Sequence, residues 1–267
     1  MEFDSDKLQY NILDYNNNIL NLKSKIKLLH NGKPISVPTE QFTKLRNDPN
    51  YQLIGNPPDY KESFEDFRND SIFLKHVKEA LKKNKQAPSF EAFKKTLIGG
   101  HMFAIVTARG QSSEAIRKGV EYFISMVFSD KERKEMINNL KNYTKLFNKS
   151  IDETYLIDKY LDKNEYIGVS SPEFLKQFKG KPSMEQGKKI AVRRFVNKSM
   201  KFVDQLKQKG IYKKVSIKIS DDDMKNIEIF KKVMSDELSK KYPDVKFSVY
   251  DTSDPDISGG RKIIISK

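Results

Sequence analysis

Short, mostly apolar runs alternate with amphipathic segments along most of the chain. Such runs are typical of buried strands, and the segments between them carry apolar residues every three or four positions, as helices do. The predicted strands are Tyr10–Leu13, Met102–Val106, Tyr166–Val169, Val215–Ile219, Val245–Tyr250 and Arg261–Ser266. The predicted helices are Ser71–Lys83, Ser89–Ile98, Ser113–Val127, a stripe from Val192 to Leu206, and Met224–Lys240. This alternation predicts an α/β domain with a mostly parallel sheet covered by helices on both faces.

Two stretches depart from the alternation. Residues 25–37 alternate in polarity around Asn31-Gly32, a strong signal for a β-hairpin, and residues 47–70 are irregular and rich in proline and aromatic residues. We therefore expect residues 25–100 to be an insertion after the first strand, formed by the hairpin and helices. Residues 129–163 are helical, charged and less regular, which favours a peripheral or cap-like helical insertion within one domain of 267 residues.

Composition narrows the possible chemistry. The chain has 50 Lys and Arg against 36 Asp and Glu, a formal charge of +14 that favours anionic partners. It has no cysteine, so disulfides and thiolate metal sites are excluded, and its three histidines are not spaced as zinc ligands. Neither a signal peptide nor a membrane span is expected, because no suitable apolar run occurs.

Polar residues follow three of the predicted strands directly. Asp14 follows the first strand, Thr107 ends the strand from Met102, and Asp221, Asp222 and Asp223 follow the strand from Val215. In open parallel sheets, ligands bind beyond the carboxyl ends of the strands. The sequence therefore predicts that these side chains gather at one crevice.

These segments, in this order, resemble the four motifs of the haloacid dehalogenase superfamily, over about residues 10–250. The residues that carry the resemblance are Asp14 after its strand, Val106-Thr107-Ala108-Arg109-Gly110, the pair Lys188-Lys189, and Ser220-Asp221-Asp222-Asp223-Met224-Lys225-Asn226. The second and fourth motifs are distinctive and the first is weak. The Lys-rich composition resembles that of family members carried by bacteriophages. The resemblance implies a Rossmann-like core.

The resemblance also implies residue roles. Asp14 matches the carboxylate that attacks phosphorus and forms an aspartyl-phosphate, and Thr107 matches the hydroxyl that binds a phosphoryl oxygen. Either Lys188 or Lys189 matches the lysine that offsets the charge of the phosphoryl group. Magnesium would be held by Asp14, Asp221 and Asp222. Ala108, Arg109 and Asn226 match positions that line the substrate crevice.

One position departs from the family pattern. The family usually has a second Asp two residues after the nucleophile, which protonates the leaving group, and this chain has Asn16 there. Because an amide cannot exchange a proton in that role, about 10²–10⁴-fold in rate should be missing. A weaker alternative places the first motif at Asp4-Ser5-Asp6, which has the right spacing but almost no strand before it.

The expectation is therefore a degenerate, Mg²⁺-dependent phosphohydrolase of phage type with weak or lost activity on a phosphate ester or nucleotide. Two alternatives remain open: a structural or assembly component of a virion, contacting other virion proteins, and a nucleic-acid-binding accessory protein. The last rests on residues 181–232, which hold 15 Lys or Arg against 6 Asp or Glu. The expected location is the host cytoplasm or the virion.

Overall fold

The structure is a computed structural model that describes residues 7–57, 60–145, 153–180 and 182–265. The strands are β1 Lys7–Leu13, β2 Lys25–His30, β3 Lys33–Pro38, β4 Tyr51–Leu53, β5 Met102–Thr107, β6 Glu165–Gly168, β7 Lys214–Asp221, β8 Val245–Asp251 and β9 Arg261–Ile264. The helices are α1 Thr39–Leu45, α2 Asp70–Lys82, α3 Phe90–Ile98, α4 Ser113–Val127, α5 Asp130–Lys145, α6 Glu153–Lys163, α7 Pro172–Leu175, α8 Met184–Gln208, α9 Met224–Val233 and α10 Ser239–Lys241. The alternative motif at Asp4-Ser5-Asp6 lies outside the described residues.

Six strands form the main sheet, in the order β6-β5-β1-β7-β8-β9. The first five are mutually parallel, and only β9 runs antiparallel to its neighbour. The α/β class and the mostly parallel sheet expected from the sequence are thus confirmed. β1 lies at the centre of this sheet, and the chain crosses from one side of it to the other after β6. Such a reversal of strand order is where open parallel sheets form ligand crevices.

Helices pack on both faces of the sheet and create two cores. On one face, α8 and α9 cover alternate residues of β1, β7 and β8, including Tyr10, Ile217 and Phe247. On the other face, α2 to α6 cover the strands β1, β5 and β6, with Phe103 and Ile105 at the centre of the contact. The inserted helices therefore belong to the main core, because apolar residues of both α2 and α6 are buried there.

A small antiparallel sheet with the order β3-β2-β4 follows β1. The predicted hairpin is confirmed: Asn31 and Gly32 form its turn with φ of 50° and 79°, the left-handed values that two-residue hairpins require. β4 lies within the stretch expected to be irregular. It was missed because three residues, Tyr51–Leu53, are too few to show an alternating pattern.

Two helix boundaries differ from the predicted ones. The helix α8 begins at Met184, two turns before the predicted apolar stripe, and Ser183 and Gln186 form a reciprocal capping box at its start. The helix α9 ends at Val233 and continues as a π-helical turn, Met234–Leu238, before α10. None of the described helices is both long and apolar enough to cross a membrane.

Candidate functional site

Three of the five predicted crevice residues, Asp14, Thr107 and Asp221, lie together at the carboxyl edge of the main sheet, whereas Asp223 is exposed and caps α9. Asp14 directly follows β1, Thr107 is the last residue of β5, and Asp221 is the last residue of β7. β1 lies between β5 and β7 with all three strands parallel, so their ends lie side by side. The backbone N–H of Asp14 donates to the carbonyl of Ser220 at 3.1 Å, which continues the β1–β7 pairing beyond the last strand residue of β1.

Lys188 joins two of these strand ends. Its ammonium group donates to Asp221 Oδ2 at 2.7 Å and to Asp14 Oδ1 at 3.3 Å. The three side chains are only 4%, 2% and 8% exposed, respectively. The other carboxylate oxygen of Asp221 accepts from the side chain of Asn226 and from the backbone N–H of Asp223, both at 3.0 Å. The result is a buried network that spans the ends of β1 and β7 and the N-terminal parts of α8 and α9.

The charges of this network are not balanced within it. Burial raises the pKa of Asp14, although Lys188 and a hydrogen bond from the Thr107 side chain oppose that shift. Burial alone would lower the pKa of Lys188, but the carboxylates of Asp14 and Asp221 more than compensate and raise it. Burial, followed by the charges of Asp14 and Asp221, also raises the pKa of Asp222. Asp14 and Asp221 thus share one ammonium, and Asp222 lies close enough to both carboxylates for their charges to disfavour its ionised form.

The structure distinguishes Lys188 from Lys189. Lys189 lies on the outer side of α8, where its ammonium group is 3.5 Å from the carboxylate of Glu237 and its side chain is 36% exposed. Lys188 lies on the inner side. Only Lys188 can therefore contact a group held by Asp14.

Arg109 is buried beside the network but is fixed by other partners. Its guanidinium donates to Gln111 at 3.0 Å, to the hydroxyl of Ser24 at 2.6 Å and to the carbonyl of Asp66 at 2.8 Å. Nη1 has no hydrogen-bond partner in the described structure. Burial lowers the pKa of Arg109 to about 10, against the opposing charge of Asp14. Ala108 is half-buried between Thr107 and Arg109.

Asn16 and Asn18 have structural partners. Asn16 accepts a hydrogen bond from the backbone N–H of Leu22 at 3.1 Å, which closes the loop after β1. Asn18 is completely buried, and its side chain donates to the carbonyl of Asp14 at 3.0 Å and to the hydroxyl of Ser220 at 2.9 Å.

Two further hydroxyl groups complete the cluster around Asn18. Ser89 and Thr252 donate to its carbonyl oxygen at 2.8 and 2.7 Å. Neither residue was predicted from the sequence, because both reach Asn18 from distant segments and carry no motif of their own. Asn18 thereby fixes the backbone on which Asp14 is placed.

The carboxylates are hard oxygen ligands of the kind that Mg²⁺ prefers, and three carboxyl groups lie near the single ammonium of Lys188. Within the described ranges, however, no three acidic or histidine side chains are already arranged to hold a metal ion. Lys188 instead contacts both Asp14 and Asp221. The donor set of Asp14, Asp221 and Asp222 therefore fits the ion in chemical type and charge, but it is not a preformed cage.

The basic stretch 181–232 is described except for Lys181, and several of its charges are already paired. Lys189 and Arg193 contact Glu237 on the outer side of α8. Lys198 contacts Glu165 at 2.8 Å. Because these cations have acidic partners on the protein, the positive charge of the stretch is not all available to nucleic acid.

Comparison with known proteins gives no match: no protein-family model, no curated protein and no solved structure is significantly similar to the chain.

Proposed function

We propose that this chain is a degenerate phosphohydrolase of the haloacid dehalogenase type, in which a phosphate-binding site survives and hydrolytic activity is weak or lost. The observation that carries the proposal is the buried contact of Lys188 with both Asp14 and Asp221 at the carboxyl edge of the parallel sheet. Lys188, Asp14, Thr107 and Asp221 come from four separate segments, and each matches the residue type that phosphoryl transfer requires at its position.

The proposed chemistry assigns one task to each group. The carboxylate of Asp14 would attack phosphorus and displace the alcohol oxygen of a phosphate ester, and Thr107 would bind a phosphoryl oxygen. Lys188 would offset the negative charge on that group. Magnesium, held by Asp14, Asp221 and Asp222, would supply the further positive charge that lets two anionic groups approach each other.

The weak step is proton donation to the leaving oxygen. In the family pattern a carboxylic acid supplies that proton, and Asn16 cannot do so. The Asn16 side chain accepts from the N–H of Leu22 through its oxygen. An aspartate has nearly the same shape and can accept the same hydrogen bond, so Asn16→Asp should introduce the acid without opening the loop.

The test is hydrolysis of a generic aryl phosphate with Mg²⁺ present. The unmodified protein should give little or no product, and Asn16→Asp should raise the rate by about 10²-fold or more. The control is the double variant Asn16→Asp/Asp14→Asn, which lacks the nucleophile and should return the rate to baseline. No gain in a folded Asn16→Asp variant would contradict the proposal, and so would strong activity of the unmodified protein that survives Asp14→Asn.

A structural role is the second candidate, and one observation favours it. Both oxygens of Asp221 already accept hydrogen bonds, and Lys188 is shared between two strand ends, so the network also ties β1, β7 and α8 together. A phage protein that had lost catalysis would retain such a network for stability, for example as a component of a virion assembly. The failure of Asn16→Asp to restore hydrolysis would favour this alternative.

A further inference from the structure

A groove with several polar residues in its lining lies on the face of the main sheet opposite α8 and α9. The helices α2 to α6 cover this face only over β1, β5 and β6, so the part formed by β7 and β8 has no helical layer among the described elements. The groove has a volume of about 220 Å³ and runs along β1 and β7 between α3 and Tyr250. Gln9 and Leu13 are the first and last residues of β1 in its lining, and the four residue steps between them correspond to a length of roughly 13 Å.

The floor of the groove is polar although it lies on the two central strands. Lys218 donates to Gln9 Oε1 at 2.8 Å, and Gln9 in turn donates to Asn11 Oδ1 at 3.1 Å. The chain of donors ends at Asn11, which is only 6% exposed and whose Nδ2 has no acceptor in the described structure. Leaving a buried donor unpaired costs about 1–3 kcal/mol. The floor of the groove therefore contains a hydrogen-bond donor, Asn11 Nδ2, that lacks an acceptor.

The electrostatics of the groove point to the same conclusion. None of its lining residues is Asp or Glu, and two of them, Lys95 and Lys218, carry positive charge. Lys218 forms no ion pair with any described residue, and burial together with the charge of Lys262 lowers its pKa. Burial and the nearby Lys218 also lower the pKa of His101, at the Gln9 end, to about 4. A half-buried ammonium without a carboxylate partner is unfavourable, and an anionic ligand would remove that cost.

We propose that this groove binds a small anion through a phosphate group. Phosphate fits better than a carboxylate because two lysines and an asparagine with an unpaired amide donor line one cavity, and a phosphate carries up to two charges and several acceptor oxygens. The volume suits inorganic phosphate or the phosphate end of a small metabolite.

The groove is separate from the site at Asp14. Asp14, Thr107, Lys188 and Asp221 are absent from its lining. Ser89 and Ser220 line the groove and are hydrogen-bonded to Asn18, which donates to the carbonyl of Asp14 from outside the groove lining. The proposal does not depend on the function proposed for Asp14.

The test is titration of the whole protein with inorganic phosphate at constant ionic strength, followed by NMR of the histidine rings. The chain has three histidines, and only His101 lines the groove, whereas His30 and His76 serve as internal references. We expect a saturable shift of the His101 signals and a rise in the pKa of His101. Phosphate bound only at Asp14 would leave His101 unchanged and would overturn the proposal.

Two lysine variants make the result specific. Lys218→Met keeps the aliphatic side chain and should weaken phosphate binding at least 10-fold. Lys246→Met removes an exposed charge from the same face of the sheet, outside the lining of the groove, and should change binding by less than 2-fold. Equal effects of the two variants would show only non-specific attraction and would overturn the proposal.

A third variant and a second anion complete the design. If Lys218→Met does not fold, Lys95→Met on the exposed side of α3 replaces it and should weaken binding at least 3-fold. Acetate at the same ionic strength should bind at least 10-fold more weakly than phosphate. Acetate binding of equal strength would overturn the assignment to phosphate.

Discussion

Replacing Lys188 with Met tests how the buried network is held together. Methionine nearly fills the same volume but removes the ammonium that contacts Asp221 at 2.7 Å and Asp14 at 3.3 Å. Both carboxylates would then be buried without their cation. Removal of one partner from a buried ion pair costs about 3–5 kcal/mol. For a chain of this size, that loss should lower the melting temperature by roughly 6–20 °C.

The adjacent residue supplies a matched control. Lys189→Met makes the same chemical change one position along α8, where the ammonium is 3.5 Å from Glu237 and more than a third of the side chain is exposed. Exposed pairs of this kind contribute about 0–1 kcal/mol. Urea unfolding measures the difference in the free energy of unfolding between the two variants, provided that this free energy falls with urea concentration at the same slope in both. Equal losses of stability in both variants would refute the view that Lys188 is the buried partner of two carboxylates.

Three further predictions follow from the site and the packing. Mg²⁺ should raise the melting temperature by binding the folded state alone, and Asp221→Asn should abolish that rise; a rise that survives the substitution would place the metal elsewhere. The folded-state pKa of His101 is about 4 against about 6.5 in the unfolded chain, so the unfolded state binds more protons between these values. Stability should therefore fall by up to about 3 kcal/mol as the pH drops from 6.5 to 4, and His101→Gln should flatten this dependence relative to the parent protein in urea unfolding. Gly168→Ala should lower the free energy of unfolding by about 1–3 kcal/mol, because the added carbon would lie 2.7 Å from two backbone oxygens of the loop after β5. Gly180→Ala is the control: the space around Gly180 is open, so the same urea assay should show a loss of less than about 0.5 kcal/mol.

The choice between Lys188 and Lys189 was available from helical periodicity. Lys188 lies four residues before Val192 and seven before Phe195, so it continues the apolar stripe of α8, whereas Lys189 lies outside that stripe. The capping box formed by Ser183 and Gln186 would also have extended the helix back over this pair. The predicted stripe began only at Val192, after both lysines, so the choice between them stayed open.

The first strand shows where periodicity fails. The sequence predicted a strand over Tyr10–Leu13, but β1 begins at Lys7. Its first residues were missed because Gln9 and Asn11 place polar side chains on the face of the strand that carries the groove. A buried central strand is expected to be apolar on both faces. Polar side chains at such positions obscure the strand in the sequence, and they are also the feature that distinguishes the groove once the sheet is known.

The convergence at the carboxyl edge was predictable because it depends on parallel strand direction and on the strands being neighbours, not on side-chain detail. Parallel pairing of β1 with β5 and β7 brings Asp14, Thr107 and Asp221 together whatever their side chains are. The positioning of Asp14 was not predictable, because it depends on Asn18, which binds the carbonyl of Asp14 and accepts from two hydroxyl groups far away in the chain. A motif gives the residues that would act on a ligand. The residues that hold them in place can come from any segment that the fold brings near, so the three-dimensional structure is needed to identify them.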